Sequence, residues 1–158
     1  MRKSRGVTLI ETVIYLALFA VVIVGLMISG YGLIENVGRN QSESMLQEEA
    51  TFLVAKIDWA LAGAKSVSTP AAHSSGKTLG IKKYDGTDVT ISRSGTDLLF
   101  NGSIINDTDT TMRDLVFVHA YSGSADPESV EAGFTLTMRT PSGALISFAA
   151  STTRYIRK

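Results

Sequence analysis

The sequence has no cysteine. Disulfide staples, thiolate chemistry and cysteine zinc sites are therefore excluded, and the fold must hold by packing. There are two histidines, His73 and His119, and neither stands at E-x-x-H or similar spacing from a second ligand, so metal catalysis is not expected. Proline is scarce, with Pro70 the first along the chain, so nothing interrupts a helix over a long N-terminal stretch. Charge is missing from residues 12–34 altogether. At about 1.5 Å rise per residue, a helix of that length crosses the roughly 30 Å of hydrocarbon in a bilayer. Glu11 stands just ahead of this run, and a carboxylate inside such a segment costs about 2.5–3.5 kcal/mol at the centre on insertion scales. A carboxylate kept there needs a partner.

The 15 basic and 15 acidic residues cancel over the whole chain. Arg2, Lys3 and Arg5 precede the apolar run, and setting them aside leaves the rest with a net charge of −3. No basic face for nucleic acid follows from this pattern. Basic residues before a span favour a cytoplasmic N-terminus, which predicts an exported remainder from about residue 35. The run is longer than the apolar core of a cleavable secretory signal and lacks an A-x-A exit, so the span is expected to stay in the protein.

Residues 35–68 are rich in helix formers and read as an amphipathic continuation of the same helix, ending at Pro70. Leu46, Ala50, Leu53, Ile57, Ala60, Ala64 and Val67 recur at spacings of four and three, a single dry stripe. Phe52 and Trp59 widen it, which predicts a broad apolar partner such as a sheet. The stripe covers about three heptads at most, short for a coiled coil, so packing on the domain's own core is the expectation over a coiled-coil partner. Residues 68–76 read as a loop, and 78–158 as a β-meander of short strands between turn signals at Asp85-Gly86, Asn101-Gly102 and Pro141-Ser142-Gly143. The clearest strands fall at 114–121 and 132–140; in the second, Phe134, Leu136 and Met138 alternate with Thr135, Thr137 and Arg139. The expected class is α+β: a long N-terminal helix, membrane-spanning over 7–34 and amphipathic beyond, packed on an antiparallel sheet in a globular head of 35–158.

Candidate chemistry is thin. Residues 71–78, AAHSSGKT, approach the phosphate-binding loop but have alanine where its first glycine belongs, with a helix before and a strand after, the reverse of what that loop needs. Ser74 and Lys77 match S-x-x-K without the companion elements of serine hydrolases. Asn106-Asp107-Thr108-Asp109 offers oxygen ligands to calcium, with Asp107 and Asp109 the carboxylates, but lacks the order of a calcium loop and reads better as a solvated turn. No nucleophile, base and orienting group assemble, so neither an enzyme nor a cofactor is expected.

The leader Met1-Arg2-Lys3-Ser4-Arg5-Gly6, followed by Val7-Thr8-Leu9-Ile10-Glu11 and a long apolar helix, resembles the N-terminus of type IV pilins and of the pseudopilins of type II secretion systems. The resemblance implies that residues 1–6 are a leader removed by a prepilin peptidase between Gly6 and Val7, and that the new amino group of Val7 is methylated. It also supplies a partner for Glu11: the charged amino group of a neighbouring subunit or of its own chain, so that two costly charges neutralise each other as spans leave the bilayer and bundle. Implied partners are other pilin or pseudopilin subunits, the peptidase, an inner-membrane assembly platform and, before assembly, membrane lipid. The implied location is the inner membrane in a single pass, then a pilus or pseudopilus. Val7 stands where many members have phenylalanine, and the disulfide that many pilins carry near the C-terminus has no counterpart, which favours a minor subunit. The competing expectation is a singly anchored exported binding protein, a ligand or DNA receptor that does not polymerise. A third, an anchored hydrolase using Ser74 and Lys77, lacks its partner groups. Loops 102–113 and 122–131 are the expected outward-reaching surfaces of the head.

Overall fold

The computed structural model describes residues 8–120 and 128–156. The cations Arg2, Lys3 and Arg5 of the expected leader, the expected cleavage pair Gly6 and Val7, most of the expected 122–131 loop and the basic ending Arg157-Lys158 lie outside the described residues. The chain divides into two compact units between Asn40 and Gln41. One helix, α1 (Leu9–Ala62), contributes its first part to the N-terminal unit and its second part to the head.

Within the head, Leu46, Ala50, Leu53, Ile57, Ala60 and Leu61 of α1 are buried in one core with residues of two antiparallel sheets. The strands are β1 (Ala64–Thr69), β2 (Ser74–Gly76), β3 (Thr78–Lys83), β4 (Asp88–Ser94), β5 (Asp97–Phe100), β6 (Ser103–Ile104), β7 (Thr110–Ala120), β8 (Ser129–Arg139) and β9 (Leu145–Tyr155). They form a five-stranded sheet in the order β1-β3-β4-β5-β6 and a four-stranded sheet in the order β2-β7-β8-β9. The expected α+β class, a long helix on antiparallel sheet, is what the chain adopts. Leu79, Ile81, Val89, Ile91 and Leu98 point inward from the first sheet, and Phe117, Val130, Ala132, Phe134 and Leu136 from the second. Each of these side chains larger than alanine contributes about 1.5–3 kcal/mol on burial, so this shared core replaces the staples that the chain lacks.

The helix ends earlier than its pattern predicts. It stops at Ala62, and residues expected to continue it to 68 form β1, paired antiparallel with β3. Gly63 weakens the helix by about 1 kcal/mol relative to alanine, and the Ser, Val and Thr residues after it favour a strand once a neighbouring edge offers hydrogen bonds. Ala64 remains buried and Val67 half-buried, so both stay on the apolar side in a different element. Phe52 and Trp59 do not join the buried stripe; they are 46% and 57% exposed. The Trp59 ring leans on Phe100, with centroids 6.2 Å apart, and the Lys83 ammonium lies 3.3 Å from its centroid. A cation over an indole face is stabilising, and it lets the ring remain at the surface. The expected loop 68–76 contains β2, and the expected loop 102–113 contains β6 and the start of β7.

The turns follow their chemistry. Asn101 and Gly102 both have positive φ, 50° and 83°, as a two-residue hairpin with right-handed twist requires. The Asn101 amide also accepts a hydrogen bond from Thr90 N at 2.8 Å. At Asp85-Gly86 the carboxylate accepts from Thr87 N at 2.8 Å, and this bond, with help from the Thr87 hydroxyl and the Lys83 charge, holds the Asp85 pKa below its ordinary 3.8. A lowered carboxyl pKa stabilises the folded turn above the ordinary value, and that contribution disappears as pH falls through the lowered one.

Strand β7 changes parity halfway. Its buried residues are Thr110 and Met112, then Leu115, Phe117 and His119, with a register shift against β8 between Arg113 and Val116. Asp114 takes φ 53° at that point. The extra residue of a bulge lets both halves present apolar side chains inward, and aspartate tolerates the left-handed backbone better than a branched residue does. Asp114→Val is therefore expected to lower unfolding free energy by about 1–3 kcal/mol, and Asp114→Gly to be neutral or stabilising. Urea unfolding of the two variants checks this, and equal losses in both would show that the backbone at this bulge is unstrained.

Candidate functional site

The N-terminal unit is built from one polar patch and a long apolar surface. Thr8 accepts at its carbonyl from Thr12 N at 3.2 Å and from the Thr12 hydroxyl at 3.3 Å, which closes the first turn. Glu11 lies in that turn, where its charge complements the helix N-terminus. The Tyr15 hydroxyl donates to Glu11 Oε1 at 3.3 Å, one turn along the same face. From Thr8 to Ser29 every residue is exposed except Glu11, which is partly covered. Among the exposed residues are Leu9, Ile10, Val13, Ile14, Leu16, Leu18 and Phe19. The helix is long and apolar enough to cross a membrane, and none of its most apolar window is buried by the protein itself. A surface this apolar needs lipid or other helices to cover it.

In the head, the residues singled out from sequence separate into structural roles. Asn106 is buried: its Oδ1 accepts from Leu98 N at 2.7 Å, and its Nδ2 donates to the carbonyls of Asp107 and Thr110 at 3.2 Å each. It ties β5 to the start of β7. Asp107 turns its carboxylate to Thr108 N, at 2.6 Å, and the Thr108 hydroxyl, while its own N–H donates to Glu49 Oε1 on α1 at 2.9 Å. Among the described residues, no three His, Asp or Glu side chains gather as a metal site at Asp107 and Asp109 or elsewhere.

Ser74, Ser75 and Gly76 lie in β2, paired with His119, Val118 and Phe117. Their backbone is laid along a ladder, not curled round an anion. Ser74 donates its hydroxyl to the Ala71 carbonyl at 2.6 Å. The pairing sets Ser74 across from His119, a proximity invisible in sequence, but both ring nitrogens of His119 are engaged elsewhere: Nδ1 with the Pro70 carbonyl at 2.9 Å, Nε2 with Glu128 Oε1 at 2.8 Å. Because a carbonyl can only accept, Nδ1 carries a hydrogen. The contact at Nε2 then needs one more proton, held by the ring or by the carboxyl. His119 is 4% and Glu128 8% exposed, so this pair is a buried polar lock between β7, the Pro70 turn and the segment entering β8.

Sequence reasoning found Glu11 because it is a charge in an apolar run. It did not single out Tyr15, although the four-residue spacing of the two was visible, and it missed the His119–Glu128 and Asn106 contacts, which depend on how the chain turns between β5 and β7 and between β7 and β8.

A family model for the prokaryotic N-terminal methylation motif matches residues 1–27, and this motif is the type IV pilin and pseudopilin signature. No curated protein and no solved structure matches the chain. The matched stretch contains Gly6, Val7, Glu11 and Tyr15 and overlaps the exposed apolar surface, and the two together fit a membrane-anchored protein.

His119→Leu removes one partner of a buried hydrogen-bonded pair and strands the Pro70 carbonyl, so a loss of about 2–5 kcal/mol in unfolding free energy is expected. Glu128→Gln, which keeps a hydrogen-bonding group against Nε2, is expected to lose less than half as much. Thermal unfolding monitored by circular dichroism compares them, and a mild effect of His119→Leu would remove the pair from the list of stabilising contacts.

Proposed function

We propose that this chain, with the type IV pilin and pseudopilin signature at its N-terminus, is a non-enzymatic structural subunit of a type IV pilus-like or type II secretion filament. It is a minor or initiating subunit in this reading. A prepilin peptidase removes residues 1–6, Val7 is methylated, and the protein resides in the inner membrane with its N-terminus in the cytoplasm and its head exported. The assembly platform then extracts it from lipid into a bundle of like helices. The observation that carries the reading is a coincidence within residues 1–27: the matched motif covers an apolar helix exposed on all sides, whose charge before residue 35 is Glu11 alone.

The physics of that stretch supports assembly through it. A tether needs only apolar length, and a carboxylate makes insertion harder. In a filament the same carboxylate meets the ammonium of a neighbouring Val7, and each charge loses its cost to the other. The lack of cysteine supports a subunit that does not depend on a stapled head, and the Ser74 hydroxyl, turned to the Ala71 carbonyl, supports a head without Ser74–Lys77 hydrolase chemistry.

Intact mass and N-terminal fragmentation of the protein from its native membrane, in cells with and without the peptidase, test the reading. The expected mature chain begins at methylated Val7 only when the peptidase is present, and Glu11→Ala is then expected to be cleaved normally yet to reach filaments at least about tenfold less than wild type. A chain starting at Met1 in both strains, or full incorporation of Glu11→Ala, would leave the anchored binding protein as the better account.

A further inference from the structure

We propose that Tyr15 is a positioning residue for Glu11, holding its carboxylate through the phenolic hydroxyl while the subunit is still surrounded by lipid. The inference rests on the filament reading for its purpose, but its geometry stands apart from it. The hydroxyl donates to Glu11 Oε1 at 3.3 Å, four residues along the helix. Side chains on a helix lean toward its N-terminus, so a tyrosine at this position reaches back over the preceding turn and brings its polar tip to the glutamate. In the stretch from Thr8 to Ser29, Glu11 alone is partly covered.

The chemistry suits the task. A carboxylate in an apolar setting lacks donors, and a phenol supplies one without bringing a second full charge. A lysine or arginine at position 15 would satisfy Glu11 too well, because a permanent ion pair within one chain would compete with the ammonium of a neighbour. A neutral donor leaves the negative charge in place. Tyr15 thus fixes where the carboxylate sits on the helix and leaves a lone pair open for the incoming cation. Thr12 does not compete for the role, since its hydroxyl is turned to the Thr8 carbonyl. The aromatic ring itself is 63% exposed and gives the donor an apolar mount compatible with lipid.

Tyr15→Phe keeps the ring and the helix and removes only the hydroxyl. Two measurements on the full chain separate this proposal from the filament reading. In membranes carrying protein with ¹³C-labelled glutamate carboxyls, the Glu11 resonance is identified by its loss in Glu11→Gln; it is expected to move in Tyr15→Phe. In cells, Tyr15→Phe is expected to be cleaved like wild type but to enter filaments about tenfold less, the scale of a lost hydrogen bond to a charged group, and to add less than about twofold in a Glu11→Gln background. An unmoved resonance, or an equal loss in both backgrounds, overturns the proposal. If Glu11→Gln forms filaments as well as wild type, the assembly role of Glu11 fails, and the resonance alone decides whether Tyr15 holds it.

Discussion

A carboxylate on an otherwise apolar helix is the constraint on which the chain's organisation depends. Water would solvate Glu11 but not the side chains around it, and lipid would do the opposite. Only an environment that is apolar in bulk and polar at one point satisfies both. Lipid with the Tyr15 hydroxyl is one such environment, and a bundle of similar helices with an ammonium at the right depth is another. The two halves of α1 reflect this division. Residues 12–34 carry no charge and an apolar surface that must find cover outside the chain, whereas the later part carries one dry stripe, buried against the head's own sheets.

Much of the fold was legible because it follows from local pattern. The long apolar stretch of helix needed only its missing charges, the helix stripe only its spacing, and the hairpins at Asp85-Gly86 and Asn101-Gly102 only their preference for positive φ. What failed depends on partners far along the chain. Nothing local ends the helix firmly at Ala62; the vacant edge of β3 does. The spacing of Phe52 and Trp59 suggests burial, yet Lys83 and Phe100, from separate strands, support Trp59 at the surface. Asp114 read as the start of a strand because the bulge hides the continuity of β7. Of the candidate site, Glu11 stood out by its isolation and Gly6 and Val7 are expectations from the order of the N-terminal motif, outside the described residues, while Tyr15 was not singled out because an aromatic residue is unremarked in such a run.

The head shows how a small domain without staples handles buried polarity. Asn106 satisfies a strand amide and two carbonyls at once, and His119 bridges a turn and a carboxyl. Among the described residues, no buried side-chain nitrogen or oxygen lacks a hydrogen-bond partner. These contacts require particular donors and acceptors to meet, His119 with Pro70 across 49 residues of chain, so they restrict which compact arrangements are acceptable in a way that apolar packing does not. The apolar core supplies the bulk of the stability, and the polar contacts select one arrangement of it.

The spacing of Thr8, Glu11, Thr12 and Tyr15 has a further consequence. An apolar cylinder in lipid is nearly indifferent to rotation about its own axis, since any side looks like any other to the surrounding chains. Four polar residues at intervals of three, four and seven lie along one side and break that symmetry. The helix acquires a front and a back. Depth in the membrane and angle about the axis are then set by the same few atoms, so a neighbour that approaches the carboxylate meets a helix already turned to face it.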